Sequence, residues 1–220
     1  MKLLLTSGGV TNPSIEAELV RLLGKPIAEA SALVIPTAQW GHPRCSPQSV
    51  RRVVVGRPEF AGLPFASVGV LELTVLPTID AERWQAWVRE ADVLLVDGGD
   101  ATYLSDRMRE SGLLDLLPSL TDTVWVGVSA GSMVMSPRVG SAFVERDGVT
   151  DDRTLGVVDF SIFPHLNYPG WDENSMAEAE KWAAEIAAPA YALDDASAIS
   201  VVDETETVVS EGEWRKFPSA

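Results

Sequence analysis

The strongest chemical signal in the sequence is a Gly-x-Ser-x-Gly motif that runs from Gly127 to Gly131. An apolar run over residues 123–129 leads into Ser129, and residues 132–135 are expected to continue as a helix. Small residues on both sides allow the tight strand-to-helix turn that pushes a serine hydroxyl out of a sheet, and the next amide, on Ala130, then faces the developing oxyanion. The pattern predicts a nucleophile elbow for acyl transfer. Ser132 is the second choice of nucleophile, and the alternative is a chance motif whose glycines only pack.

A serine nucleophile needs a general base, and the chain has two histidines from which to choose. His165 follows an apolar segment, residues 160–163, and Pro164, so we expect it at the same carboxyl edge of the sheet as Ser129. His42 lies in a Gly-His-Pro loop, which favours a position on the surface or on the rim of a site. We assign the base to His165, with a hydrogen-bonded core histidine as the alternative.

The base in turn needs a carboxylate that fixes its tautomer. Asp194 and Asp195 end a short apolar run, residues 191–193. Neighbouring side chains on a strand point to opposite faces, so one of the two faces the histidine and the other caps the next turn. A metal site is the competing interpretation, and two histidines without paired ligand spacing disfavour it. We therefore predict neither a metal nor a cofactor.

Two glycine-rich turns follow predicted strands. Residues 98–100 (Gly-Gly-Asp) open into a helix and offer amides that would complete an anion hole. The Gly-x-Gly-x-x-Gly and Gly-Lys-Ser/Thr patterns of nucleotide sites are absent from this turn. Residues 7–9 (Ser-Gly-Gly) form a similar turn, which we interpret as a loop at the edge of the sheet.

The elements that must position these residues follow the pattern of an α/β protein. Continuous apolar runs, typical of a parallel sheet covered on both faces, predict strands over residues 2–6, 32–36, 68–73, 93–97 and 123–129. Helical spacing of apolar residues predicts helices over 13–23, 78–90, 102–110 and 175–188. Strands are expected again over 191–193, 198–202 and 207–209. The fold class is therefore a mostly parallel sheet flanked by helices, in one domain over residues 1–220.

The charge balance excludes several partners. The 220 residues carry 17 basic and 32 acidic side chains, a net charge of −15, which disfavours binding to a nucleic-acid backbone. Most of this charge lies after residue 110, where 6 basic face 19 acidic residues, and we interpret it as a solvated surface. No apolar run reaches the roughly 18 residues of a membrane span, so we expect neither a membrane anchor nor a leader.

The few basic residues and the single cysteine give two further indications. Four arginines cluster near His42 and are the natural place to hold a substrate carboxylate: Arg44, Arg51, Arg52 and Arg57. Cys45 has no partner for an internal disulfide, which favours a reducing, cytoplasmic setting.

Four motifs, taken together, resemble the S51 peptidases, the group of peptidase E (aspartyl dipeptidase) and cyanophycinase. They are residues 98–104 (Gly-Gly-Asp-Ala-Thr-Tyr-Leu), the elbow at 127–132, Pro164-His165, and residues 193–198 (Leu-Asp-Asp-Ala-Ser-Ala). The order Ser, His, Asp differs from the Ser, Asp, His order of α/β-hydrolases. The resemblance implies a class I glutamine amidotransferase-like, flavodoxin-like sheet. It also implies the site roles: nucleophile Ser129, base His165, oxyanion amides Gly99 and Ala130, and acid Asp195, with Asp194 as second choice.

The sequence departs from this group at three places. The third triad position is usually Glu and here is Asp. Asp100 occupies a position where the group usually has Asn, and the resemblance implies that this position lies near the substrate. The arginine associated with binding the substrate aspartate has no counterpart in residues 166–174, where Tyr168 and Trp171 would instead line an apolar pocket. The resemblance therefore does not carry over aspartyl specificity.

These patterns predict a serine peptidase that acts on short peptides through an acyl-enzyme. Its expected partner is a short peptide substrate, with Arg44 as a further candidate binding residue, and the sequence leaves a homodimer open. The alternatives are an esterase or amidase on the same scaffold, or a binding protein without turnover.

Overall fold

The computed structural model of this chain describes residues 1–57, 60 and 62–218. The strands are β1 (Lys2–Thr6), β2 (Ser31–Ile35), β3 (Ser67–Val70), β4 (Val93–Val96), β5 (Val124–Val128), β6 (Ser161–Phe163), β7 (Ala190–Leu193), β8 (Ser197–Val202), β9 (Thr205–Ser210) and β10 (Trp214–Phe217). The α-helices are α1 (Pro13–Leu23), α2 (Ala38–Gly41), α3 (Pro47–Val55), α4 (Ala81–Glu90), α5 (Ala101–Ser111), α6 (Leu113–Leu116), α7 (Ala130–Met133) and α8 (Met176–Ile186).

The larger sheet has seven strands in the order β3-β2-β4-β5-β1-β8-β9. The first five run parallel, whereas β8 is antiparallel to β1 and β9 is antiparallel to β8. Its two faces are covered by separate apolar cores, one around Trp125 and Leu104 and the other around Ile15 and Val126. Burial on both faces explains why β1, β4 and β5 are almost continuously apolar in sequence, whereas the edge strand β3 is largely exposed. The predicted fold class, a mostly parallel sheet flanked by helices, is confirmed.

A second, three-stranded sheet in the order β10-β7-β6 was not predicted. We expected the segment before His165 to end at the edge of the main sheet, and the structure places it, as β6, parallel to β7 in this smaller sheet. A buried strand of three or four residues has the same apolar pattern in either sheet, so the sequence does not reveal which partner it pairs with. The parallel pairing still brings the carboxyl ends of β6 and β7 together.

Helix boundaries follow their capping residues. The predicted range of α1 matches the structure, because the Asn12 side chain caps its start and Gly24 ends it in the left-handed conformation. The predicted helix over 78–90 begins later, at Ala81, since Asp80 is the residue that caps α4. Helix α3, with its Ser46 and Ser49 capping box, was not predicted. No helix in the described part of the chain is long and apolar enough to cross a membrane.

Candidate active site

Ser129 sits at a strained turn between β5 and α7. Its backbone has φ 50° and ψ −112°, a conformation that costs a non-glycine residue about 1–3 kcal/mol and that persists only where the surroundings hold it. The flanking glycines are required, because a Cβ on Gly127 would overlap the Gly131 carbonyl and a Cβ on Gly131 would overlap the Val96 carbonyl. The helix starts at Ala130 instead of the predicted 132, so the elbow is sharper than the sequence indicated.

Two amides flank Ser129. The backbone N–H groups of Gly99 and Ala130 make no hydrogen bond to any described residue, so both remain available to an oxyanion. They follow the carboxyl ends of the neighbouring strands β4 and β5. Gly99 has φ +137°, and a Cβ there would overlap the backbone of Ala38, so the turn accepts only glycine.

Ser132, the second choice of nucleophile, has a structural role. Its hydroxyl donates a 2.7 Å hydrogen bond to the Thr6 carbonyl, and its side chain is fully buried. Ser129 is therefore the serine that the geometry exposes, since it lines the cleft described below.

The imidazole of His165 is held by Asp195. Nδ1 of His165 lies 2.7 Å from Oδ1 of Asp195, which favours the tautomer with the proton on Nδ1 and leaves Nε2 as the acceptor. Burial raises the pKa of the Asp195 carboxyl, but the hydrogen bond and charge of His165, with the Ser7 hydroxyl, outweigh it and hold this pKa below its usual value. The pair thus keeps a carboxylate beside the ring.

Asp194 faces away from His165. Its Oδ1 accepts hydrogen bonds from the Ala196 amide and the Ser197 hydroxyl, and its Oδ2 accepts one from the Glu213 amide. The structure therefore brings Asp195, and not Asp194, to the histidine. The other acid caps the following turn. Both acids lie beyond the end of β7 at Leu193, so the turn, and not alternation along a strand, directs them to different partners.

A cleft of about 350 Å³ opens beside Ser129. Besides Ser129, its lining includes these residues singled out from the sequence: Gly98, Gly99, Asp100, His42, Arg44, Arg57 and Trp171. Trp171 also packs against the His165 ring at 5.5 Å between centroids, which connects the cleft to the base. Tyr168 is not part of the lining; it packs behind Trp171, with ring centroids 4.8 Å apart.

Asp100 is buried and caps α5. Its Oδ1 accepts hydrogen bonds from the Tyr103 amide and the Thr102 hydroxyl, each 2.7 Å long. Because it directly follows Gly99, this cap fixes the backbone that carries one of the two free amides. The carboxylate predicted beside the substrate thus also has a structural task.

The charges around the cleft are largely paired. Arg57 contacts the buried carboxylate of Asp97 at 2.9 Å, and His42 contacts Glu145 at 3.1 Å on the rim. Burial raises the pKa of Asp97, an effect that Arg57 only partly offsets. Arg51 and Arg52, predicted as part of the basic cluster, lie on α3 and not in the cleft lining.

Sequence reasoning missed three residues of this region. Asp97 was seen only as a strand end, and Gln39, which donates to its carboxylate at 2.8 Å, carried no pattern. Ser7 was interpreted as part of an edge loop, although it bonds to Asp195 and to the backbone of His165. Its position directly after the interior strand β1 is the signal that would have found it. No three side chains of His, Cys, Asp or Glu cluster as metal ligands within the described ranges.

The fold and this site define a class: an α/β protein with a serine elbow at the carboxyl edge of a parallel sheet and a carboxylate-held histidine nearby. Comparison with protein families gives the particular group. Residues 3–209 match the model of peptidase family S51, so the chain belongs to that family, and the resemblance seen in the sequence is confirmed. Membership supports a serine peptidase. The search of curated proteins finds no match.

Solved structures share the fold, two of them over nearly the whole chain. A putative peptidase E protein from Listeria monocytogenes EGD-e aligns with a TM-score of 0.70 and 17% identity, over 96% of this chain and 98% of that one. A peptidase from an acI-B1 Actinobacterium aligns with a TM-score of 0.68 and 20% identity, over 99% of this chain and 94% of that one. At these identities the likeness concerns the fold alone.

Proposed function

We propose that this chain is a serine peptidase that hydrolyses short peptides through a Ser129-His165-Asp195 triad. The observation that carries the proposal is the 2.7 Å contact between Asp195 and His165, because it prepares Nε2 to accept a proton on a chain that also has a serine elbow. Family membership adds that the reaction is peptide hydrolysis.

The proposed reaction has two halves. His165 Nε2 takes the proton of Ser129 as Oγ attacks the scissile carbonyl, and the amides of Gly99 and Ala130 stabilise the oxyanion. The imidazolium then gives its proton to the leaving amine, and the acyl-enzyme forms. In the second half, His165 accepts a proton from water as the water oxygen attacks the ester carbonyl. The imidazolium then returns this proton to Oγ of Ser129 as the acid product leaves. Asp195 stabilises the imidazolium in both halves.

The cleft supports short substrates. A volume of about 350 Å³ lies at the low end of the range of ligand pockets, and Trp171 and Phe143 contribute apolar wall to it. Four acidic residues and two arginines line the cleft, so an excess of negative charge faces an aspartyl side chain: Asp97, Asp100, Glu145 and Glu173 against Arg44 and Arg57. We therefore place aspartyl specificity second to cleavage of neutral short peptides.

The test is a panel of Asp-X dipeptides, other dipeptides and end-blocked tripeptides, with Ser129→Ala as the control. We expect cleavage that the control abolishes, and covalent labelling of Ser129 by a fluorophosphonate. Turnover of esters without peptides would favour an esterase or amidase. A wild-type chain that is neither labelled nor active would be a binding protein, and the proposal would be wrong.

A further inference from the structure

Ser7 contacts the backbone or side chain of all three triad residues. It follows β1, an interior strand of the larger sheet, and is fully buried. Its hydroxyl donates to Oδ1 of Asp195 at 2.8 Å and accepts the backbone N–H of His165 at 2.7 Å. Its carbonyl accepts the backbone N–H of Ser129 at 3.1 Å. One residue thus joins the larger sheet to the loops that follow β6 and β7.

Two of these contacts hold strained backbone. Ser129 has φ 50° and His165 has φ 56°, values that non-glycine residues rarely adopt. In each case the strained residue donates its N–H to Ser7, once to the carbonyl and once to the hydroxyl. The Ser129 amide donates to two carbonyls, those of Thr6 and Ser7. The His165 amide instead donates to the Ser7 hydroxyl. Loss of the Ser7 hydroxyl would therefore release the histidine more than the nucleophile.

The third contact orients the acid. Oδ1 of Asp195 accepts both from Ser7 and from Nδ1 of His165, and two donors on one oxygen fix the rotation of the carboxylate. The neighbouring Gly8 permits this approach, because a Cβ there would lie 2.7 Å from Cβ of Asp195. The charged groups that act on this carboxylate are His165 and Arg57.

We propose that Ser7 is a positioning residue of the active site, whose single hydroxyl fixes the positions of the Asp195 carboxylate and the His165 backbone relative to Ser129. This inference rests on the proposed function. Ser7 is not itself a nucleophile, because its side chain is fully buried and its proton is committed to Asp195.

The test compares Ser7→Ala with Ser7→Thr, which keeps a hydroxyl, and with Thr11→Val as a matched control. Thr11 also donates a hydroxyl hydrogen bond to Asp195, but to its backbone carbonyl, and it is exposed. We expect Ser7→Ala to lower kcat roughly 10- to 100-fold with little change in KM, as for a lost hydrogen bond to a charged group. The acid limb of kcat/KM should move to higher pH, because Oδ1 of Asp195, without the Ser7 bond, stabilises the protonated imidazole of His165 more strongly. Ser7→Thr should recover part of kcat, and Thr11→Val should leave the acid limb unchanged.

A second readout does not depend on turnover. The imidazole N–H proton of His165 can be followed by NMR and distinguished from that of His42 with a His42→Ala variant. The resonance of this proton should shift in Ser7→Ala and should be unchanged in Thr11→Val. If Ser7→Ala does not fold, the nearly isosteric Ser7→Cys, with its weaker hydrogen bonds, serves in its place.

The outcomes separate the two proposals. If the wild-type chain neither cleaves peptides nor reacts with a fluorophosphonate, the proposed function fails, and the NMR comparison still tests Ser7. An active wild type with an unchanged kcat, acid limb and N–H resonance in Ser7→Ala would overturn the inference. Equal losses of kcat in Ser7→Ala and Thr11→Val would also overturn it, because they would mean that Ser7 contributes to the folding of the loop and not to the position of the triad.

Discussion

Two adjacent acids in the turn that follows β7 have different tasks, because the turn directs their side chains to different partners. Asp195 meets the imidazole of His165, whereas Asp194 accepts hydrogen bonds from the turn that leads into β8. The two positions therefore offer a matched pair of variants, equal in chemistry and one residue apart. They separate the role of a carboxylate in the site from its role in the turn.

At the scale of single residues, we predict that Asp195→Asn mainly lowers activity and that Asp194→Asn mainly lowers stability. Asp195→Asn should lower kcat by about 10³- to 10⁴-fold, because the amide no longer favours the proton on Nδ1. Asp194→Asn should retain most of the activity and lower the free energy of unfolding by about 1 kcal/mol through lost hydrogen bonds. Steady-state kinetics and urea unfolding measure both quantities. Similar kcat values for the two variants would contradict the assignment of Asp195.

Among the elements, α5 links stability to the site. Asp100 caps its first turn and directly follows Gly99, whereas Asp80 caps α4 through the Arg83 amide. A cap contributes about 1 kcal/mol in either helix. The difference between the two helices is that only the α5 cap belongs to the cleft lining.

We therefore predict that Asp100→Ala and Asp80→Ala both destabilise the chain by about 0.5–2 kcal/mol, and that only Asp100→Ala also lowers kcat/KM. The loss of the α5 cap frees the Gly99 turn, whose amide is proposed to hold the oxyanion. Asp100→Asn keeps the accepting Oδ1 and should recover most of the stability. Thermal unfolding and peptide hydrolysis test this, and an equal effect of the two Ala variants on kcat/KM would contradict it.

The elements also show what the sequence could predict. The parallel sheet, the extent of α1 and the elbow at Ser129 follow from local pattern, since apolar runs, caps and small residues each act over a few positions. The second sheet does not, because β6, β7 and β10 are short and their pairing depends on contacts between distant segments. The role of Ser7 was missed for the same reason: it lies 158 residues from His165 and 188 from Asp195.

The negative net charge of the whole molecule disfavours the binding of an acidic substrate. The chain carries −15, and residues 111–220 account for −13 of it, from 6 basic and 19 acidic side chains. Near the cleft, Arg57 and His42 are paired with Asp97 and Glu145. Arg44, which is exposed on the cleft wall, is the cation best placed to meet a substrate carboxylate.

The prediction at this scale compares an Asp-X dipeptide with its Ala-X counterpart. The ratio of their kcat/KM values should rise with salt, because the Debye length falls from about 30 Å at 0.01 M to about 8 Å at 0.15 M and screens the repulsion by the whole molecule. Arg44→Ala should lower this ratio by about two- to fivefold, the effect of an exposed ion pair. Arg51→Ala makes the same change in net charge on α3, outside the cleft lining, and should leave the ratio nearly unchanged. Equal effects of the two variants on this ratio would mean that total charge, and not contact with Arg44, determines the relative kcat/KM of an acidic peptide.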